Sequence, residues 1–121
     1  MKSALRSLTF DCADPLKQAE FWAAVLGYTV KEVDEEGALV VDPTGQNPRL
    51  LFIIVPEGKT AKNRIHFDLT PDTTRKAEVE RLLGLGATIY QELDWTVMLD
   101  PEGNEFCVEG GLDDKKAAEA S

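Results

Sequence analysis

The sequence predicts an α+β chain built from one βαβββ unit used twice. Three observations carry that expectation. Asp42-Pro43-Thr44-Gly45-Gln46 returns 58 residues on as Asp100-Pro101-Glu102-Gly103-Asn104. Leu8-Thr9-Phe10-Asp11 returns 57 residues on as Ile65-His66-Phe67-Asp68. Leu26-Gly27, closing a helical pattern, returns 59 residues on as Leu85-Gly86. Near-identical spacing in one order is the mark of an internal duplication. Two such copies nearly fill the 121 residues. A duplicated unit of this kind makes a cleft between its halves, and clefts hold ligands.

Each element has a local reason. Ser7, Thr9 and Asp11 alternate with Leu8, Phe10 and Cys12, which is a strand with one polar and one apolar face. Asp14-Pro15 supplies an N-cap and an N1 proline. Leu16, Ala19, Ala23 and Leu26 then share a helical face, with Trp22 and Val25 beside it, and Gly27 stands as the C′ residue. Strands follow at 28–33, 38–41 and 49–55, separated by the turns Glu35-Glu36-Gly37 and Pro43-Thr44-Gly45. Polar residues 56–63 form the expected linker. The second copy repeats the order: a strand at 64–69, a helix capped by Asp72 or Thr73 and running to Leu83, and strands at 87–91, 95–99 and 105–109. From Leu112 onward the chain is rich in Lys, Ala and Glu without an apolar face, and reads as a frayed helix or a disordered tail. The expected organisation is one domain over 1–111, with module one at about 5–55, module two at about 64–110, and a flexible tail at 112–121.

Composition narrows the partners. At 43% hydrophobic and 29% charged, the chain is an ordinary globular sequence with enough length for a core. The formal net charge of −9 argues against nucleic acid, which needs a basic face. It suits a cationic ligand or simply keeps the protein in solution. No apolar run approaches the ~20 residues of a membrane span, and residues 1–6 lack the apolar stretch of a signal peptide. Cys12 and Cys107 fit reduced thiols in the cytoplasm rather than a disulfide framework.

Ala13-Asp14-Pro15, Phe21-Trp22 with Val25-Leu26-Gly27, Asn63-Arg64-Ile65-His66-Phe67-Asp68-Leu69, Leu85-Gly86-Ala87 and Asp100-Pro101-Glu102-Gly103-Asn104-Glu105-Phe106 together carry a resemblance. The chain resembles the vicinal oxygen chelate superfamily, which includes glyoxalase I and bleomycin-resistance proteins, and within it the glyoxalase-like domain branch. The resemblance spans residues 7 to 109. It implies two βαβββ modules forming a curved mixed β-sheet cup with helices on the convex side, and a homodimer whose interface would be isologous. Enzymes of the superfamily hold a divalent metal in the cup. The four ligand positions fall here on Ser7, around Ile53, Arg64 and Cys107. Serine and isoleucine are poor metal ligands, and Arg64 brings a positive charge. No metal or other cofactor is therefore expected at these positions. A displaced metal site would use His66, Asp68 and Asp11, with Glu109 as a further carboxylate.

Alternation assigns Leu8, Phe10, Ile65, Phe67, Phe106 and Val108 to the core. Ser7, Thr9, Asp11, Arg64, His66, Asp68, Glu105, Cys107 and Glu109 fall on the opposite, cup-facing side, and Leu51, Ile53 and Val55 give it an apolar wall. A half-exposed sheet alternates in any case. What exceeds that background is the residue types: Arg, His and two Asp at equivalent repeat positions. Arg64 would bind a carboxylate or phosphate through its fork, or pair with Asp68, Asp11 or Glu109 across the sheet. His66 and Asp68 are the catalytic candidates: His66 would shuttle a proton or hydrogen-bond a ligand, and Asp68 with Asp11 would act as an acid–base pair or accept backbone bonds. Cys107 is either a nucleophile whose pKa is lowered by Arg64 and His66 or a small buried hydrophobe. Trp95 would stack on a ligand at the rim or pack there. Ser7, Thr9, Asp11, Ile53, Arg64, Trp95, Cys107 and Glu109 make up the ligand-binding set.

Two functions stay open from these residues. One is a protein that holds a small organic molecule without the usual metal, as bleomycin-resistance proteins hold their drug. The other is an enzyme, a lyase, isomerase or dioxygenase, with a non-standard or metal-free site. Fold alone does not choose between them.

Overall fold

Alternating side chains make β1 (Ser7–Cys12) the first strand of the computed structural model, which describes residues 1–120. The chain divides into two units, Met1–Thr60 and Ala61–Ser121, and the division falls inside the polar segment 56–63.

In the first unit α1 (Pro15–Leu26) begins where the Asp14 carboxylate accepts from the Lys17 N–H at 3.2 Å. It ends at Gly27, whose φ of 70° lets its N–H and that of Tyr28 turn back to the Ala23 carbonyl. Strands β2 (Thr29–Val33), β3 (Gly37–Val41) and β4 (Arg49–Ile54) follow. The sheet order is β1-β4-β3-β2, with β1 parallel to β4 and the other pairs antiparallel. Helix α1 packs on β3 and β4. Trp22, Phe52, Leu50 and Val40 are at most 2% exposed. Phe10 sits 5.1 Å from Phe52 and 6.3 Å from Trp22, and Phe21 meets Trp22 edge-on at 5.2 Å between ring centroids. Tilted and edge-on rings suit the aromatic quadrupole and add to the burial itself.

The second unit repeats the order with β5 (Asp68–Leu69), α2 (Arg75–Leu85), β6 (Thr88–Glu92), β7 (Thr96–Leu99) and β8 (Glu105–Val108). Its sheet order is β5-β8-β7-β6, again with one parallel pair. Leu82, Met98, Phe106 and Val108 are at most 1% exposed, and α2 packs on β6 and β8. The duplicated punctuation recurs as geometry. Gly86 closes α2 at φ 114°, as Gly27 closes α1. Asp100 accepts from the N–H groups of Glu102 and Asn104, as Asp42 accepts from those of Thr44 and Asn47. Both β2–β3 and β6–β7 carry a register shift, at Lys31 and at Tyr90, a repeat that no side-chain pattern announced. The architecture is thus α+β, two βαβββ units with a mixed sheet each.

Four local expectations need correction. The strand expected at 64–69 survives only as Asp68–Leu69. Upstream, the Asn63 N–H donates to the Glu105 carboxylate at 2.8 Å, and Asn63 Nδ2 donates to Asn104 Oδ1 at 3.1 Å. The side chains of Asn104, in the turn before β8, and of Glu105, which opens β8, thus hold the segment, and the chain bends at Arg64–Ile65 instead of joining the ladder. Ile65, expected in the core, is 79% exposed. The α2 cap is Thr74, whose side chain accepts from the Ala77 N–H, rather than Asp72 or Thr73, and the helix runs to Leu85. The strand expected to open at Trp95 opens at Thr96, with Trp95 in the preceding bend.

The segment from Leu112, read as a frayed helix or a disordered tail, is helix α3 (Leu112–Ala120); Ser121 lies outside the described residues. Its start is tied to the same unit. Leu112 and Asp113 N–H groups donate to the Pro71 and Thr73 carbonyls, and the Asp114 carboxylate accepts from the Gly111 and Arg75 N–H groups.

Candidate functional site

The second unit gathers the strongest chemistry. Asp68 and Cys107 are direct partners in the parallel ladder of β5 and β8, so their side chains rise from the same side of the sheet. His66 lies two residues before Asp68, and its Nδ1 sits 3.3 Å from Asp68 Oδ1. The His66 and Asp68 side chains are 44% and 54% exposed, whereas Cys107 is buried. One ligand atom from each of the three lies within 4.8 Å of the others. The Cys107 thiol hydrogen-bonds to the Asp68 carboxylate, and its sulfur accepts from the indole N–H of Trp95. The bend before β7 delivers Trp95 there: Val97 pairs with Cys107, so Trp95 approaches from the adjoining strand two residues upstream. Trp95 as a whole remains 42% exposed.

Of the two sequence readings of Cys107, the electrostatics go against the activated nucleophile. Burial pushes its thiol pKa up, and the charges of Asp68 and Glu109 and the Asp68 hydrogen bond push it further. The Trp95 N–H works the other way without reversing the direction. The alternative in which Arg64 and His66 lower this pKa is not met, because burial first and the Asp68 and Glu109 carboxylates next raise it, and the reading of Cys107 as a small buried residue fits instead. Arg64 itself stands exposed in the bend and forms no salt bridge among the described residues, so the pairing with Asp68 or Glu109 is absent. The shortened strand is the cause, since side-chain alternation does not extend through a bend.

The remaining candidates fall as follows. Ser7 and Arg49 are register partners, and Arg49 Nε donates to the Ser7 hydroxyl at 2.7 Å. Thr9 is exposed opposite Leu51. Asp11 is exposed opposite Ile53, which is half-buried. Glu109 is exposed just past β8, its N–H donating to the Leu69 carbonyl. Cys12 is buried and its thiol donates to the Ile53 carbonyl. Both cysteines are free thiols.

The positions at which the resemblance would place a divalent metal do not supply a ligand set. The Ser7 hydroxyl is engaged by Arg49, Ile53 has no donor atom, and Arg64 is a cation; only Cys107 is a ligand type. The sequence reading had treated Cys107 and Trp95 separately. Their link was signalled only by the register of β7 on β8, which no single residue reveals.

Comparison with known proteins agrees with the fold. A sequence model described as glyoxalase-like domain matches residues 7–109, from the start of β1 to just past β8. No curated protein matches the sequence. A glyoxalase/bleomycin resistance protein/dioxygenase family enzyme from Burkholderia phytofirmans PsJN superposes with TM-score 0.68 at 18% identity, covering 91% of this chain and 99% of that one. A possible glyoxalase from Bacillus cereus superposes with TM-score 0.67 at 18% identity, covering 89% and 99%. The trypanothione-dependent glyoxalase I of Leishmania major superposes with TM-score 0.64 at 15% identity, covering 98% and 93%. Among the described residues no helix is long and apolar enough to cross a membrane. Identities this low speak for the fold and leave the chemistry to the residues. With the match running through both βαβββ units, the chain belongs to the glyoxalase-like domain family, within the vicinal oxygen chelate superfamily.

Proposed function

We propose that the protein binds a small organic molecule at the second unit, without a metal at the positions its superfamily uses. The observation that supports this reading is the joining of an exposed imidazole–carboxylate pair, His66 and Asp68, to a half-exposed indole, Trp95, through the buried Cys107 sulfur. An aromatic face beside fixed polar groups is the composition of a small-molecule site. Trp95 offers the stacking surface. His66 and Asp68 offer one donor–acceptor pair, and the negative charges of Asp68 and Glu109 favour a cationic ligand. Arg64, unpaired and close in sequence, would meet an acidic substituent.

The test is a tryptophan-fluorescence titration in the presence of a chelator, with a panel of cationic glycopeptides and aromatic metabolites. Binding by at least one member, lost in Trp95→Phe and weakened in His66→Ala, is the expected result. A flat response to every compound, or one untouched by both substitutions, would overturn the reading.

One observation favours a second reading. The Nδ1 atom of His66 faces Asp68, which orients the ring and leaves Nε2 for a substrate proton. That is the arrangement of a general base steered by a carboxylate, worth typically 10²–10⁴-fold in rate. In a substrate screen, an activity removed by His66→Ala and reduced by Asp68→Asn would select this reading over simple binding.

A further inference from the structure

The bend that delivers Trp95 is held on both sides of that residue. After it, the Leu93 N–H donates to the Trp95 carbonyl at 2.7 Å, and the Thr96 hydroxyl donates to the Glu92 carboxylate at 3.1 Å across the foot of the bend. Before it, the Arg75 guanidinium donates through Nη1 to the Asp94 carbonyl. The first two bonds close the bend on itself, whereas the Arg75 bond joins it to α2. A peptide group is planar, so a held Asp94 carbonyl also sets the direction in which the chain enters Trp95.

Arg75 is the first residue of α2. Local energetics favour an acid there, because the helix dipole presents its positive end. Glu78 follows that rule and Arg75 breaks it. The Arg75 main chain is nonetheless firmly placed: the Thr74 side chain caps the helix, and the Asp114 carboxylate accepts from the Arg75 N–H at 2.7 Å. Asp114 also brings a negative charge close to the guanidinium, which offsets the dipole. The side chain thus leaves a fixed point on α2 and ends on the bend, 19 residues along the chain. Its planar fork loses less freedom per hydrogen bond than an ammonium would.

We propose that Arg75 is a positioning residue of the site: by holding the Asp94 carbonyl it keeps the Trp95 indole turned onto the Cys107 sulfur and available to a ligand. It acts through Trp95 and not on the ligand. Its consequence for binding rests on the reading above; the placement of Trp95 does not.

The test is acrylamide quenching of tryptophan fluorescence on the full chain. Of the two tryptophans, Trp22 is 1% exposed and Trp95 42%, so the quencher reaches mainly Trp95. Trp95→Phe in each background supplies the Trp22 signal to subtract. Arg75→Met keeps the apolar stem and removes the donor. A larger quenching constant for Trp95 and an emission maximum shifted to the red are expected. Arg75→Lys keeps a charged donor without the fork; intermediate values are expected, and they keep the test informative if Arg75→Met loosens α2. Lys76→Met removes the neighbouring exposed charge and moves neither signal. For any cationic glycopeptide or aromatic metabolite that the wild type binds, Arg75→Met weakens affinity by about threefold to tenfold. Wild-type quenching in Arg75→Met, the same change in Lys76→Met, or changed quenching with wild-type affinity would overturn the proposal. A panel that never binds sinks the ligand reading, and quenching still decides whether Arg75 holds Trp95.

Discussion

The two units share one plan and spend it differently. In the first, β1 is six residues long and pairs with β4 along its whole length, from Ser7–Arg49 to Cys12–Ile54. In the second, β5 keeps only two residues. Helix α1 buries Gln18, Ala19, Phe21, Trp22 and Val25, whereas α2 buries Val79 and Leu82. The ring contacts Phe10–Trp22, Phe10–Phe52 and Phe21–Trp22 belong to the first unit. The cluster of His66, Asp68 and Cys107 belongs to the second. Equivalent positions thus differ in setting: Thr9 and Asp11 lie exposed along a complete ladder, while His66 lies before the ladder and Asp68 at its start. A strand that starts late leaves its first side chains to solvent. The shortened strand of the second unit leaves His66 and Asp68 exposed, while the helix of the first unit buries more of its side chains.

Five substitutions would break or sharpen this contrast. Trp22→Ala has the largest expected effect, about 3–5 kcal/mol of unfolding free energy, because an almost fully buried indole leaves a cavity. Urea denaturation measures it, and a loss under about 1 kcal/mol would remove the idea that the first unit is the packed one. Gly111→Ala comes next. The added Cβ would lie 1.9 Å from the Thr73 carbonyl oxygen, so the start of α3 must move. A cost of about 1–3 kcal/mol and a drop in helical circular dichroism are expected; a silent substitution would mean that α3 is not held at Gly111.

The two Asp turns offer an internal comparison. Asp100 is 3% exposed and Asp42 is half-buried, though both accept backbone N–H groups. Asp100→Ala is expected to cost about 1–3 kcal/mol, since two backbone donors lose their partner away from water. Asp42→Ala lowers the melting temperature by less, and equal losses would show that burial does not separate the turns. The smallest effect concerns pH. The raised Cys107 pKa means that the folded state holds the thiol proton more tightly than the unfolded chain. The stabilisation is complete below the unfolded thiol pKa, about 8.5, and is lost as pH rises from there through the folded value. Melting temperature should therefore fall more steeply above that pH in the wild type than in Cys107→Ala. An identical slope in both would contradict the carboxylate-rich surroundings of the sulfur.

Legibility followed the range of the interactions. The paired Gly27 and Gly86, Asp42 and Asp100, and the alternation of residues 7–12 act over a few residues, so their outcome stood in the sequence. The bend at Arg64 did not, because Asn63 finds Glu105 at a separation of 42 residues. The helical end after Leu112 was equally hidden: its anchors on Pro71 and Thr73 are backbone carbonyls, which carry no signature of residue type. The candidate site was legible in its members and not in its partnerships. His66, Asp68, Trp95 and Cys107 each stand out in the sequence, and His66 does lie near Cys107, but Arg64 stands exposed in the bend and the carboxylate influence on the thiol is not legible.

The sequence by itself determined the duplicated α+β plan, the helix and turn ends, and which residue types could do chemistry. Propensity, capping and side-chain period are local and leave a pattern in the chain. Only the tertiary structure decided that Asp68 faces Cys107, that Trp95 reaches the same sulfur, and that Arg64 leaves the sheet. Those outcomes depend on strand register and on which distant side chain captures a backbone N–H, and register is a property of two strands together.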